Sequence, residues 1–191
     1  MNYDQIWSHV KDLPTCALLT TGRSGSDLLQ SLFDSHPEII AFNGSHFFQQ
    51  FWDKAQSVNY GGPIDTADVL DEYIGSHIHK FRTKYDVVER KGELGEKKDE
   101  EINIDRAAFR LHLIGLLKED KINCRNFMTA SVVAFDICLG RDILSKKIVI
   151  HHVHRIALVP RYLEDFPDSR LLCMVRDPRA NYVSGVENWK K

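Results

Sequence analysis

The segment Thr20-Thr21-Gly22-Arg23-Ser24-Gly25-Ser26-Asp27-Leu28-Leu29 lies between an apolar run at residues 16–19 and a helical pattern of leucines. A buried strand, a turn of small residues and a helix start form, in this order, a site for phosphate or sulfate. The N–H groups of the first helical turn are unpaired, and the helix dipole favours an anion there. The two glycines let the backbone bend and come close to the anion, and the arginine and serines add hydrogen-bond donors. The segment therefore predicts binding of a nucleotide or another phosphorylated ligand.

This segment differs from the loop that binds nucleoside triphosphates. A Walker A loop needs a glycine, four further residues and then Gly-Lys-Ser/Thr. Here Gly22 is followed by Gly25, and the chain contains no Gly-Lys-Ser/Thr. A single Gly-x-x-Gly turn fits a structural strand-to-helix turn about as well as it fits an anion site. The functional interpretation therefore depends on a second motif.

The second motif is Phe166-Pro167-Asp168-Ser169-Arg170-Leu171-Leu172-Cys173-Met174-Val175-Arg176-Asp177-Pro178-Arg179-Ala180, followed by Ser184. Its apolar run at residues 171–175 predicts a strand that is buried on both faces. Arg176 follows this strand at the carboxyl end, where open α/β sheets bind ligands. Asp177-Pro178 fits the cap and first turn of a helix, and Ser184 stands eight positions after Arg176. The strand-end arginine and the helix serine can then converge on one anion.

Hydrophobic patterns in the rest of the chain alternate between helices and strands. Helices are predicted at residues 4–11, 26–34, 65–81, 105–118, 125–139, 156–165 and 178–191, and an aromatic stripe at residues 47–52 predicts a core-facing helix. Strands are predicted at residues 15–20, 39–42, 147–151 and 171–175. This alternation favours an α/β fold of three layers, with a central parallel sheet flanked by helices. The highly charged segment at residues 84–101 is typical of a solvated loop or helix hairpin.

The composition is that of a globular protein. The 191 residues suffice for one domain with a sizeable core, and an apolar fraction of 43% is ordinary. A formal net charge of −2 argues against a general nucleic-acid binder. The four cysteines lack the paired spacing of zinc or redox sites. Residues 1–14 contain no apolar signal core, and no apolar run reaches membrane-spanning length, so we expect a cytoplasmic protein without a membrane span.

Together the two motifs resemble those of the sulfotransferases that use 3′-phosphoadenosine 5′-phosphosulfate. In that family a Lys/Arg-Ser-Gly-Thr/Ser turn holds the 5′-phosphosulfate, and residues 21–26 resemble its arginine-bearing form in tyrosylprotein and carbohydrate sulfotransferases. Residues 32–39 resemble the Asp-x-His-Pro segment that often ends the family's first helix. Arg176 and Ser184 match, at the family's own spacing, the pair that holds the 3′-phosphate. The resemblance covers residues 15 to about 42 and 151 to about 189.

The resemblance implies a fold like that of the P-loop-containing nucleoside triphosphate hydrolases. It also implies an enzyme that moves a sulfuryl group from 3′-phosphoadenosine 5′-phosphosulfate to a hydroxyl on a small molecule, lipid or carbohydrate, with no metal required. The residues that it assigns to the nucleotide are Arg23, Ser24, Gly25, Ser26, Asp27, Leu28, Arg176 and Ser184. Many relatives have Thr where this chain has Asp27, so we expect Asp27 to contact the ligand through its backbone N–H alone.

The resemblance further implies a single sulfotransferase-like domain over residues 1–191, with a helical insert at about residues 47–140. Sulfotransferases usually continue past this point with a Gly-rich basic loop, so we expect that the C-terminal part of the usual domain is missing. A truncated or degenerate relative that binds the nucleotide without turnover is therefore the alternative function. The sequence determines neither the acceptor nor the oligomeric state.

Arg23 takes the place of the family's loop Lys/Arg, so the resemblance gives it the role of stabilising the leaving group. The base that takes the acceptor proton is open. His151-His152-Val153-His154 follows the strand core at residues 148–150, and counting back from Arg176 places the family's histidine at or beside His154. The same count places the family's second catalytic lysine near His152. Both are catalytic candidates, and His151 and His46 are alternatives. For the three histidines at residues 151–154, a structural role at the strand end competes with catalysis.

Two further possibilities are disfavoured. Three closely spaced histidines also fit a metal site, but no acidic or Cys partner stands nearby at ligand spacing. The carboxylate that serves as base in tyrosylprotein sulfotransferases has no counterpart in Phe42-Asn43-Gly44-Ser45-His46, which argues against a tyrosylprotein acceptor.

Overall fold

The computed structural model describes residues 1–20, 24–42, 48–58, 66–77, 96–97, 102–117, 122–153 and 155–189. The chain divides into two compact units, each built from two separate stretches of sequence. We call Met1–Lys11 with Phe47–Leu144 the helical unit, and Asp12–His46 with Ser145–Lys191 the sheet unit, after their described elements. None of the described helices combines the length and the apolar character that crossing a lipid bilayer requires.

The regular elements occur along the chain in an order close to the predicted one. They are α1 (Tyr3–Val10), β1 (Thr15–Leu19), α2 (Ser26–Phe33), β2 (Ile39–Ala41), α3 (Phe48–Val58), α4 (Thr66–His77), α5 (Arg106–Leu117), α6 (Cys124–Cys138), β3 (Ile148–Val153), α7 (Val159–Asp165), β4 (Arg170–Cys173) and α8 (Pro178–Trp189). A short 3₁₀ helix, Ile156–Leu158, precedes α7. The charged segment predicted at residues 84–101 lies outside the described residues except for the turn at residues 96–97.

The described strands form one parallel sheet with the order β2-β3-β1-β4. Leu18 of β1 aligns with His152 of β3 on one side and with Leu172 of β4 on the other. Because the strands are parallel, their carboxyl ends lie at the same edge of the sheet. The predicted α/β class with a parallel sheet is confirmed.

Helices contact both faces of this sheet. On one face, Cys16 and Leu18 of β1 are buried together with Ile150 of β3, and Leu29 and Phe33 of α2 pack against them. Successive strand residues point to opposite faces, so His151 lies on the other face, where it contacts Tyr162 of α7. The apolar spacing of α2 thus covers one side of the sheet and α7 covers part of the other.

Strand β4 departs from the prediction. All four of its residues are exposed, including Leu171 at 48% and Leu172 at 38%. The expectation of a strand buried on both faces is wrong, because β4 stands at one end of the described strand order and pairs there with β1 alone. A continuous apolar run is typical of an interior strand, but the run itself does not determine the position of the strand in the sheet.

Aromatic side chains form much of the core of the helical unit. The ring of Tyr73 in α4 lies 5.2 Å from that of Phe51 in α3 and 5.0 Å from that of Phe127 in α6, measured between centroids. Trp52 is buried as well. The predicted core-facing helix at residues 47–52 is thereby confirmed for the described residues of α3. Most of α6 is buried, so this helix is the one around which the others of the unit pack.

Gly115→Ala should destabilise the helical unit by about 1–3 kcal/mol. A Cβ at this position of α5 would lie 2.6 Å from two ring carbons of Tyr3 in α1. The Tyr3 hydroxyl is also hydrogen-bonded to His112 Nδ1 at 2.8 Å, which resists a shift of the ring. Urea unfolding followed by far-UV circular dichroism measures the change.

The matched control for this prediction is Gly75→Ala in α4. There the nearest side-chain atom to a new Cβ is Arg106 Nη2 at 3.8 Å, an ordinary contact. Alanine is the better helix former, so this variant should be stabilised by up to about 1 kcal/mol. Equal unfolding free energies for the two variants would contradict the contact between α5 and α1.

Candidate functional site

Two motif-bearing segments leave the sheet side by side at its carboxyl edge. Leu19, the last residue of β1, aligns with Cys173, the last residue of β4. The Met174 N–H donates to the Leu19 carbonyl at 3.2 Å, so the two segments stay paired one residue beyond β4. The turn that leads into α2 and the loop that leads into α8 therefore begin as neighbours. The first sequence motif contains the turn before α2, and the second contains the loop before α8.

Helix α2 begins at a left-handed glycine. Gly25 is the residue before the first helical turn and has a φ of +97°, a conformation that L side chains rarely adopt. The structure gives this helix start no side-chain cap among the described residues. The N–H groups at a helix start have no partner within the helix, and the helix dipole favours a negative acceptor there. Ser26 and the backbone of Asp27 belong to this turn.

A buried hydroxyl stands immediately before this glycine. Ser24 is 5% exposed, and its Oγ has no hydrogen-bond partner among the described residues. Burying a hydroxyl without a partner costs free energy, and an anion that accepts a hydrogen bond from it would recover that cost. The helix start and the Ser24 hydroxyl are thus two independent features of the same turn that suit a phosphate or sulfate group.

The other residues predicted to bind the ligand at this turn differ in exposure, and some lie outside the described residues. Ser26 is buried, whereas Leu28 is 69% exposed, so its predicted ligand contact would come from its backbone. Arg23 lies outside the described residues, as do His46, His154 and the side chain of Asp27. The roles predicted for those residues stay predictions.

The second motif leads from β4 into α8 as its sequence indicates. Pro178 is the first residue of α8, and Asp177 Oδ1 accepts a hydrogen bond from the Arg179 backbone N–H at 2.8 Å. The predicted cap is confirmed. The Arg179 guanidinium also donates to this carboxylate and holds the pKa of Asp177 below its usual range. Arg176 precedes this cap and is exposed, and Ser184 lies within α8 and is half-buried.

Of the three closely spaced histidines at residues 151–154, the two that the structure describes lie inside a strand. Strand β3 continues to Val153, so His151 and His152 are strand residues with exposures of 2% and 7%. The strand was predicted to end at residue 151, so it holds His151 as expected but extends farther than predicted, to include His152. Pairing with Ala17 and Leu18 of β1 carries the ladder through both of them, because a long partner strand can extend β structure beyond the local apolar run.

The two side chains have different surroundings. His151 Nδ1 is 2.9 Å from the Tyr162 hydroxyl, which is in turn 3.0 Å from Ser169 Oγ, and its ring packs against Phe166. This places His151 in the packing between β3 and α7. His152 points to the opposite face, where its Nε2 is 3.2 Å from Thr20 Oγ1. Sequence reasoning missed this contact, because nothing in the sequence links residues so far apart in the chain.

No group of three or more His, Cys, Asp or Glu side chains able to hold a metal ion is found among the described residues. Comparison of the chain with protein-family models, with curated proteins and with solved structures found no match. The chemical interpretation of the site therefore depends on the geometry of the two motifs.

Ser24→Ala should leave the free energy of unfolding unchanged or raise it by up to about 1 kcal/mol, because it removes a buried hydroxyl that has no described partner. The same substitution should reduce the stabilisation that millimolar sulfate gives the wild type. Thermal unfolding at matched sulfate concentrations measures both effects, and the general salt effect is the same for each variant.

Ser169→Ala is the control in the same unit. It removes a hydroxyl that is hydrogen-bonded to Tyr162, so it should lower the melting temperature and leave the response to sulfate unchanged. A loss of stability in Ser24→Ala, with a normal sulfate response, would show that this hydroxyl serves the fold and not an anion.

Proposed function

We propose that this chain is a sulfotransferase domain with a P-loop-like fold that uses 3′-phosphoadenosine 5′-phosphosulfate as its donor. The observation that carries the proposal is the start of α2. A left-handed Gly25, a helix start without a described side-chain cap and the buried Ser24 hydroxyl occur together at the carboxyl end of β1. This combination suits a tetrahedral anion.

The second motif supports a nucleotide with two separate anionic groups. Arg176 follows β4, and β4 is the neighbour of β1 in the sheet. A donor whose 5′-phosphosulfate lies at the start of α2 would direct its 3′-phosphate toward the segment with Arg176 and Ser184. Arginine suits this role, because its guanidinium stays charged and can donate two parallel hydrogen bonds to one phosphate.

The reaction needs positioning and charge stabilisation more than covalent chemistry. The hydroxyl oxygen of the acceptor attacks the sulfur and forms a new O–S bond. The bond between the sulfur and the bridging oxygen breaks, and the electron pair leaves with the 5′-phosphate of adenosine 3′,5′-bisphosphate. The hydroxyl proton passes to a base. Donors at the start of α2, and Arg23 by resemblance, would stabilise the charge that develops on the leaving phosphate, and one such donor typically contributes about 100- to 1000-fold in rate.

The base must come from a histidine other than the two that the structure describes in β3. His151 is buried and hydrogen-bonded to Tyr162 of α7, and His152 is buried within β3. His154 remains the candidate that the resemblance favours, with His46 as the alternative. A histidine is suited to this role, because its ordinary pKa of about 6.5 lets it accept a proton near neutral pH.

The alternative is a relative that binds the nucleotide without turnover. The burial of His152 favours it, since the resemblance places a second catalytic lysine near that position and a buried strand histidine cannot replace a mobile ammonium group. Formation of a sulfated product separates the two functions. A radiolabelled donor incubated with a panel of phenols, sterols and sugars should yield product for an enzyme and none for a binding module.

Adenosine 3′,5′-bisphosphate should raise the melting temperature of the wild type, and AMP, ADP and ATP should raise it less. A ligand at a hundred times its Kd stabilises a protein by about 2.7 kcal/mol, which thermal unfolding detects easily. Arg176→Ala should abolish most of this effect, because it removes the charge proposed for the 3′-phosphate.

Arg179→Ala is the matched control. Arg179 is an exposed arginine three positions farther along the same segment, and it is paired with Asp177. This variant should respond to the bisphosphate as the wild type does. Equal stabilisation by ATP and the bisphosphate, or no stabilisation by either, would exclude the proposed donor.

A further inference from the structure

A hydrogen bond between two buried side chains joins β1 to β3 at the edge that carries the candidate site. Thr20 directly follows β1 and is 1% exposed, and its Oγ1 lies 3.2 Å from Nε2 of His152, which is 7% exposed. His152 aligns with Leu18, so the contact reaches diagonally forward to the point where the chain leaves β1.

Thr20 lies only a few positions before the start of α2, where the proposed anion would bind. Ser24 stands four positions later, and the left-handed Gly25 that begins α2 comes directly after it. Three residues join Thr20 to Ser24 in the sequence, so a change in the position of Thr20 is transmitted over a short length of chain to the start of α2. A hydrogen bond in a buried environment is costly to give up, because water cannot replace the lost partner.

We propose that the Thr20–His152 hydrogen bond positions Ser24, Gly25 and the first turn of α2, with His152 acting as a positioning residue and not as the base. The identity of the anion in this inference rests on the proposed function. His152 fits the positioning role because a buried strand residue holds a fixed place relative to β1, whereas a base must reach the acceptor. Either atom can donate, since Thr20 has a hydroxyl proton and the histidine tautomer determines whether Nε2 carries one.

Thr20→Val tests this inference, because valine has nearly the same shape as threonine and lacks the hydroxyl. Thr20→Ser keeps the hydroxyl and should restore the wild-type behaviour. Tyr162→Phe is the matched control. It removes a hydroxyl bonded to the other buried histidine of β3, on the opposite face of the sheet and away from the turn.

The first measurement uses no ligand. The Leu29 N–H donates to the Gly25 carbonyl at 3.2 Å and reports the first turn of α2, whereas the Phe166 N–H donates to the Tyr162 carbonyl at 3.0 Å and reports α7. In hydrogen exchange, Thr20→Val should raise the exchange rate of the Leu29 N–H about tenfold relative to that of the Phe166 N–H. A change of this size is what the loss of one buried hydrogen bond allows. In Thr20→Ser the exchange rate of the Leu29 N–H should stay within about twofold of the wild-type rate, and Tyr162→Phe should leave that rate unchanged. Equal acceleration of both amides in Thr20→Val, or none at Leu29, would overturn the positioning role.

The second measurement is the Kd for adenosine 3′,5′-bisphosphate by calorimetry. Thr20→Val should weaken binding about tenfold, Thr20→Ser should recover it, and Tyr162→Phe should leave it unchanged. Unchanged binding in Thr20→Val would overturn the link between this hydrogen bond and the site. If the wild type binds no bisphosphate, the proposed function fails, and the exchange measurement still decides whether Thr20 and His152 position the turn.

Discussion

Parallel pairing of β1 with β3 and with β4 is the constraint on which the candidate site depends. Every strand of a parallel sheet ends at the same edge, so the segments that leave β1, β3 and β4 all begin there. Segments that are far apart in the sequence thereby become neighbours without any direct attraction between their functional groups. The turn before α2 and the loop before α8 are adjacent because Leu19 and Cys173 occupy aligned positions in the ladder.

The polar groups at this edge divide according to burial. Thr20, Ser24 and His152 are buried, whereas Arg176 is exposed. Buried hydroxyl and imidazole groups are held by the fold, while an exposed guanidinium is accessible from solvent. For the proposed donor, buried groups in fixed positions would reduce the cost of ordering the site.

The two units draw on separate parts of the chain, and the sequence patterns differ in how far they predict each of them. In the helical unit, the aromatic spacing at α3 correctly indicated a buried face, because a helix presents one stripe to its neighbours. In the sheet unit, the apolar runs correctly located β1 and β4 but did not show which of them is an interior strand and which is an edge strand. An interior strand and an edge strand can have the same composition, and only the strand order shows that the side chains of β4 are exposed.

The sequence by itself determined β1 and α2 of the first motif and the capped start of α8, because each depends on residues close together in the chain. The alternation of strands with helices along the chain indicated the parallel α/β class. Only the tertiary structure decided the extent of β3, the burial of His151 and His152 on opposite faces, and the contact between His152 and Thr20. These features depend on the neighbouring strand. Ladder pairing with β1 carries β3 past its apolar core, and strand alternation then determines which histidine faces Thr20 and which faces Tyr162.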